Sequence, residues 1–279
     1  MLSYLHAFHA GNFADVQKHA ALILALRMMQ AKPAPIACFD THAGSASYDL
    51  EGEQARKTAE ADTGIQAVWQ HRARLDSDDW IGLLQPLGKG EVNSRLAGYP
   101  GSPALIQHYL RERDRLFAWE LHPTEGRSLA DWAASDPRIK SMQGDGLAGL
   151  IRTLPPSQPR LLALIDPSYE VKTDYEEVAR TLISAWKACR HGVFMIWYPL
   201  LPGAPHTKLQ QIVRDSPLRK VYCHEIHRQQ PPERGMTGSG LLVVNPPWGF
   251  DQRLNQMMND VAGTDALGIS VFDQWLIPE

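Results

Sequence analysis

The segment Asp166-Pro167-Ser168-Tyr169 places a carboxylate, a proline and an aromatic ring directly after an apolar run. These groups suit chemistry on the exocyclic amine of an adenine, which is a poor nucleophile because its lone pair is delocalised into the ring. The Asp166 carboxylate and the Pro167 carbonyl can accept the two N–H bonds of the amine, and Tyr169 can stack on an extruded base. Asp166 could then take the proton released when the amine is methylated, without a metal. The alternative is a proline turn that only ends a buried strand.

A second segment, Asn245-Pro246-Pro247-Trp248, also follows an apolar run. It matches the adenine-methylase pattern of Asp or Asn, two prolines and an aromatic residue more closely. Counting strands separates the two segments. Asp166 closes the fourth predicted strand, beside the point where strand order reverses, whereas Asn245 follows the seventh. We therefore assign the chemistry to Asp166 and interpret Asn245 as a structural or flanking residue.

Several other predicted strands end at polar residues, and open α/β sheets bind ligands outside the carboxyl ends of their strands. Glu120, after the second strand, is placed to accept from both ribose hydroxyls of an adenosyl cofactor. Asp145, after the third, could bind the adenine amine, with Gly146 letting the backbone approach. Asp and Gly also favour turns, so each residue alone has a structural interpretation. The strand-end set is Asp40, His42, Gly44, Glu120, His122, Asp145, Gly146, Asp166 and Tyr198.

The loop after the first predicted strand, 41–45, lacks a GxGxxG pattern and gives no support to a dinucleotide. S-adenosylmethionine has no pyrophosphate, so a glycine and nearby polar groups suffice for it.

The amino-terminal segment 4–19 is the densest polar and aromatic cluster. Tyr4 and His6 could contact a target nucleotide, while Lys18 and His19 could meet a phosphate or the cofactor carboxylate. One alternative is a segment that merely caps the fold. Another is a metal site, although its spacing fits no HExxH-like helix. That site would use His6, His9 and Asp15.

Strand and helix patterns alternate along most of the chain, which predicts an open α/β sheet. Helices are predicted at 14–30, with Asn12 or Asp15 as N-cap, and at 174–189. Two later apolar runs, at 220–227 and 240–245, have no helix between them and should pair as an antiparallel hairpin at the sheet edge. The earlier strands are predicted at 36–40, 116–120, 138–142, 161–165 and 193–197.

The interval from Asp40 to Glu120 is too long for one βα unit, whose acidic residue usually lies about 20 positions on, so roughly 50 residues are inserted. We assign 47–100 to a small, mostly helical subdomain, a lid or a scaffold, and 1–46 with 101–279 to the main domain.

Composition bounds the class of protein. Of 279 residues, 44% are hydrophobic and the net charge is −3, so nucleic-acid binding has no overall basic signature and would need a local patch. The three cysteines are far apart, which argues against disulfides and a cysteine zinc site. With no signal-peptide pattern and no long apolar stretch, we expect a cytoplasmic protein.

Nine blocks, in order from Met1 to Glu279, resemble the bacterial RlmJ family of 23S ribosomal RNA adenine-N6 methyltransferases. They are MLSYLHAFHAGNFADVQKH, DTHAG (40–44), YPGSP (99–103), ELHP (120–123), GDG (144–146), WYP (197–199), RGMTGSG (234–240), NPPW (245–248) and the final WLIPE. The resemblance implies a class I, Rossmann-like methyltransferase sheet with a small helical subdomain inserted after the first strand, and S-adenosylmethionine as cofactor. It implies Asp166 as the catalytic acid and Tyr4 at the substrate, with His6 and Lys18 in the same block. The implied cofactor residues are His19, His42, Ser102, Glu120, Asp145, Gly146 and Asp166.

This sequence departs from the family pattern at Ser168, where the family has a second proline. The Asp166 carboxylate and the Pro167 carbonyl survive, so the substitution affects rate and the pose of Tyr169. We expect a monomer acting on 23S RNA that is protein-free or early in assembly, because a base in naked RNA is easier to extrude. The alternatives are a nucleic-acid hydrolase serving the use of external DNA and a non-catalytic RNA-binding relative.

Overall fold

A computed structural model describes residues 5–279. The helices are α1 (Phe13–Gln30), α2 (Glu53–Thr58), α3 (Ile65–Gln70), α4 (Trp80–Leu87), α5 (Ser102–Tyr109), α6 (Pro123–Ala133), α7 (Gly146–Thr153), α8 (Asp174–Ala188), α9 (Thr207–Arg214) and α10 (Phe250–Gly263). The strands are β1 (Ile36–Asp40), β2 (Ser47–Asp49), β3 (Glu91–Val92), β4 (Arg95–Leu96), β5 (Gly98–Pro100), β6 (Arg115–Glu120), β7 (Ile139–Gln143), β8 (Arg160–Ile165), β9 (Val193–Leu200), β10 (Val221–Arg228), β11 (Gly238–Val244) and β12 (Ile269–Ile277).

Eight strands form the main sheet, in the order β7-β6-β1-β8-β9-β11-β10-β12. The five strands from β7 to β9 are parallel, and β11, β10 and β12 continue the sheet in antiparallel pairs. Strand order reverses between β1 and β8, so the ends of these two strands flank the crevice where such sheets bind ligands. The predicted α/β sheet with a class I methyltransferase strand order is confirmed.

Helices cover both faces of the sheet, because alternate residues of each buried strand point to opposite sides. In β1, Ile36 and Cys38 face one core and Ala37 and Phe39 the other. The first core contains residues of α1, α5 and α10, and the second those of α7, α8 and α9. The result is a three-layer sandwich in which all of β1 is buried.

Helix α1 is buried around most of its circumference, including its polar residues. It begins at Asn12, whose side chain accepts hydrogen bonds from the backbone N–H groups of Ala14 and Asp15. Asn12 is therefore the N-cap, and Asp15 is free for another role. The helix contacts α4 and α5 on one side and α10 and β11 on another, which brings its first turns to the carboxyl edge of the sheet.

The predicted hairpin is present as β10 and β11, but it does not form the edge of the sheet. Strand β12 pairs along the whole of β10 and forms that edge instead. The sequence pattern did not predict β12 because all of its residues except Ile269 are at least partly exposed, as is usual for an edge strand, and its apolar residues are interrupted by Asp273 and Gln274. Helix α10, between β11 and β12, was also missed.

The segment between β1 and α5 contains three short helices and two small two-stranded sheets, β2 with β5 and β3 with β4. Trp69, Trp80 and Leu83 from this segment share one hydrophobic core with Ile23 of α1. The segment is thus packed on the helix that carries several candidate site residues. Among the described residues, no helix is long and apolar enough to cross a membrane.

Candidate active site

A cavity of about 600 Å³ opens at the carboxyl edge of the sheet, beside the ends of β1, β6, β8 and β9. Its size is typical of a small-molecule site. Tyr4 lies outside the described residues, and Gly146 is absent from the lining. The predicted residues that line the cavity are His6, Lys18, His19, His42, Ser102, Glu120, Asp145, Asp166, Pro167 and Tyr169.

Asp166 follows β8 and shares a buried ammonium with a second carboxylate. Lys18 Nζ lies 2.6 Å from Asp166 Oδ2 and 2.7 Å from Asp15 Oδ1. Burial raises the pKa of Asp166, while the adjacent Lys18 charge works in the opposite direction. Burial also opposes the charge of Lys18, but the two carboxylates prevail and raise the pKa of its ammonium. Lys18 is only 4% exposed and its ammonium is paired with these two acids; its contact with a phosphate or with the cofactor carboxylate stays a prediction.

Tyr169 is buried against the wall of the cavity and has a positive φ of 51°. Its hydroxyl donates to the Trp197 carbonyl at 2.7 Å, and its ring lies 4.5 Å from that of Tyr175, centroid to centroid. Pro167 is buried beside it, whereas Ser168 is exposed. The Tyr169 ring is therefore held by a hydrogen bond at its hydroxyl and by packing on one side. Neither of these contacts involves residue 168.

Glu120, at the end of β6, is fixed by two backbone N–H groups. Gly44 donates to its Oε2 at 2.8 Å and His122 donates to its Oε1 at 2.7 Å. Each oxygen keeps a lone pair for a further donor, so the carboxylate suits a pair of hydroxyls. Glu125 lies buried beside it, and burial together with the Glu120 charge raises the pKa of Glu125 to about 7. Asp145 Oδ1 caps α7 by accepting from the Ala148 N–H at 3.1 Å.

The structure gives a reason for glycine at position 146 that differs from the expected close approach of the backbone to a ligand. A Cβ at this position would lie 1.9 Å from the carbonyl oxygen of Thr41. The close approach is therefore between the loop that follows β1 and the first turn of α7. Gly44 is similar, because its φ is +60° and a Cβ there would lie 1.9 Å from the Tyr48 hydroxyl. Both glycines shape the cavity rim through chain packing.

Two histidines in the wall are neutral. Burial lowers the pKa of His19 to about 3 and that of His42 to about 4, so His19 carries no charge for the cofactor carboxylate but can still form hydrogen bonds. Its Nδ1 lies 2.7 Å from the Tyr99 hydroxyl. Ser102 Oγ donates to Asp40 Oδ2 at 2.6 Å. Burial raises the pKa of Asp40 to about 7 despite that hydrogen bond.

Asp15 and Trp197 were not assigned to the active centre from the sequence, yet both line its cavity. The position of Asp15 carried a signal, since it precedes Lys18 by three residues on a helix and such pairs are neighbours. Trp197 carried a weaker sequence signal, namely its place at the end of a predicted strand. Its ring lies 5.7 Å from the Lys18 ammonium.

Asn245 lies beside the amino ends of the parallel strands, opposite the cavity. It does so because β11 runs antiparallel to β9 and ends where β9 begins. Its side-chain amide donates to the carbonyls of Arg190 at 2.8 Å and Gly192 at 2.9 Å. Its φ is 52°, and Trp248 is 98% exposed. The segment from 245 to 248 does not line the cavity and ties a turn to the sheet.

Of the three residues of the alternative metal site, two contact each other and the third contacts a different carboxylate. His6 Nε2 lies 3.0 Å from Asp15 Oδ2, whereas His9 Nδ1 lies 2.8 Å from Glu60 Oε1. Within residues 5–279, no group of three His, Cys, Asp or Glu residues is arranged to hold a metal ion. The hydrolase alternative gains no support from this arrangement.

Comparison with known proteins gives a consistent result. The family described as "Ribosomal RNA large subunit methyltransferase D, RlmJ" matches residues 33–267. Proteins named "Ribosomal RNA large subunit methyltransferase J" from Escherichia coli (strain K12) and Haemophilus influenzae are 35% and 33% identical, with complete coverage of both chains in each case. The crystal structure of protein LPL1258 from Legionella pneumophila is 32% identical, with a TM-score of 0.88 and coverage of 96% of this chain and 98% of that one.

Proposed function

The chain belongs to the RlmJ family of ribosomal RNA large subunit methyltransferases, and we propose that it transfers a methyl group from S-adenosylmethionine to the N6 amine of an adenine in 23S ribosomal RNA. The observation that carries the proposal is the place of Asp166. Its carboxylate lies at the end of β8, in the cavity beside the reversal of strand order, with an ammonium 2.6 Å away.

The polar groups that line the cavity fit the adenosyl cofactor. Glu120 offers two oriented oxygens to ribose hydroxyls, and Asp145 keeps one carboxylate oxygen for an adenine amine. When bound, the cofactor supplies an activated methyl group on a sulfonium. The remaining residues that would hold it are His19, His42, Ser102 and Asp166, with Gly146 acting through the loop it packs.

Asp166 and Pro167 would orient the target amine. The carboxylate accepts one N–H and the Pro167 carbonyl the other, which localises the nitrogen lone pair. Asp166 must be ionised to take the proton that the amine releases, and Lys18 favours the ionised form. The carboxylate can then hold the proton that the methylated amine loses. Tyr4, His6 and Tyr169 would contact the base, and Lys18 would act through Asp166 rather than on the RNA directly.

The RNA is proposed to be protein-free or early in assembly, and the enzyme to act in the cytoplasm as a monomer. With a net charge of −3, the protein would grip one extruded nucleotide and not a long stretch of backbone. Residues 1–46 and 101–279 form the catalytic domain in this proposal, and residues 47–100 an inserted subdomain that braces α1.

The test uses labelled S-adenosylmethionine and protein-free 23S RNA. We expect label in N6-methyladenosine with the wild type and a loss of at least about 100-fold in rate with Asp166→Ala, which removes both the acceptor for the amine N–H and the group that takes its proton. Asn245→Ala is the matched control, because this residue belongs to the more orthodox motif but lies outside the cavity. It should lower stability and leave the rate constant of the folded enzyme unchanged. No label with the wild type, or equal label with Asp166→Ala, would sink the proposal.

A further inference from the structure

We infer that Asp15 is a positioning residue, which holds His6 of the amino-terminal segment and Lys18 of α1 in a fixed chain of contacts ending at Asp166. The inference rests on the proposed function, because it assigns Asp15 a role in aligning the catalytic carboxylate. Neither the chemistry nor the cofactor contacts assigned above require Asp15 to touch a substrate.

Both oxygens of Asp15 are occupied. Oδ1 lies 2.7 Å from Lys18 Nζ. Oδ2 lies 3.0 Å from His6 Nε2 and accepts the Gly11 N–H at 2.8 Å. The side chain is 2% exposed, so water cannot replace any of these partners without disrupting the packing. The contacts form a line from His6 through Asp15 and Lys18 to Asp166.

The turn that precedes α1 also fixes the orientation of Asp15. Gly11 has a φ of +79°, and its carbonyl accepts the Ile65 N–H at 2.8 Å. A Cβ at Gly64 would lie 2.1 Å from the same carbonyl oxygen. The turn before α1 is thus pressed against the segment between β1 and α5. This contact presents the Gly11 N–H to Asp15 in one orientation.

An ordinary capping role accounts for only one of these contacts. A carboxylate in the first turn of a helix commonly accepts a preceding backbone N–H, and one oxygen is enough. Here the other oxygen holds a buried ammonium whose second partner is Asp166. Without the Asp15 charge, Lys18 would keep one anionic partner and could shift toward or away from it. Asp166 would then lose the fixed cation that orients it.

The substitution Asp15→Asn separates the two roles. The amide oxygen still accepts the Gly11 N–H, but the charge that holds Lys18 and His6 is gone. We expect kcat to fall by roughly 10- to 100-fold, since small misplacements of catalytic groups cost up to about 100-fold. Asp114→Asn is the matched control. Asp114 is a buried carboxylate that also accepts backbone N–H groups and pairs with Arg111, but it lies outside the cavity. It should reduce stability and leave kcat unchanged.

A double-mutant cycle tests whether Asp15 acts through Lys18. If it does, Asp15→Asn should change kcat by less than about threefold in a Lys18→Met background, because coupled residues are not additive. A residue that only stabilises the fold would give the same fold-loss in both backgrounds. Full additivity, or wild-type kcat in Asp15→Asn, overturns the inference.

A second measurement does not depend on activity. The His6 imidazole is faced by Asp15 and Lys18 of α1, Asp166 after β8, Glu125 of α6 and the Tyr48 ring. Burial works to lower the pKa of His6, but Asp15 prevails and raises it. Asp15→Asn should therefore lower the pKa of His6 in an NMR titration of the folded protein, and Asp114→Asn should not. An unchanged His6 pKa in Asp15→Asn contradicts the inference even if the wild type proves unable to methylate RNA, which would defeat the proposed function separately.

Discussion

The ammonium of Lys18 lies 2.6 Å from the carboxylate of Asp166, although 148 positions separate the two residues in the chain. The contact joins the second turn of α1 to the end of β8. Both side chains are removed from water, where a charged pair interacts more strongly than on the surface. The ionisation of Asp166 therefore depends on a residue of another element.

Replacing Lys18 with Met should move the acid limb of the rate profile to higher pH. Burial raises the pKa of Asp166 and Lys18 opposes that increase, so its removal lets the pKa rise further. The carboxyl is then protonated, and unable to take the proton of the amine, at pH values where the wild type is ionised. Single-turnover rates across pH measure this shift. Lys172→Met, at an exposed lysine close to Tyr169 in sequence, serves as the control. An acid limb at the same pH in both variants contradicts the assignment.

Replacing Ser168 with Pro should preserve methyl transfer and stabilise the protein. Within the part of the chain that the structure describes, neither the backbone N–H nor the hydroxyl of Ser168 makes a hydrogen bond, so proline removes no partner. The φ of Ser168 is not positive, and the restricted unfolded chain adds about 0.4–1 kcal/mol to the unfolding free energy. Denaturant melts and rate constants measure both effects. A large gain in activity would instead show that Ser168 had impaired the wild-type site.

Replacing Gly146 with Ala should destabilise the protein and weaken cofactor binding together. The new Cβ would lie 1.9 Å from the Thr41 carbonyl oxygen, so one of two backbone segments must move, at a cost of about 1–3 kcal/mol. Calorimetric titration and thermal melts are the measurements. Gly263→Ala is the control, because a Cβ at this last residue of α10 would meet no atom within 4 Å. Unaltered cofactor affinity in Gly146→Ala would remove this loop contact from the site's requirements.

The sequence predicted the parallel half of the fold well because buried strands leave continuous apolar runs. It also placed Asp166 at the reversal of strand order without any contact information, since strand position alone determines that edge. It did not predict the role of Asp15, because a carboxylate in the first turn of a helix has a local explanation in capping. Asp166 follows β8, and only tertiary packing brings Asp166 and Asp15 to the same lysine. The edge strand β12 was not predicted, because a partly exposed edge strand does not require an apolar sequence pattern.

Helix α1, with Asp15 and Lys18, packs against α10 and β11, which lie more than 200 positions later. Contacts between residues so far apart in the sequence form slowly, because closing the long intervening loop costs conformational entropy before the contacts can stabilise the fold. During synthesis, the apolar faces of α1 would await their partners until residue 263 has left the ribosome. A chain released before that point would therefore carry a first helix whose apolar face toward α10 is uncovered.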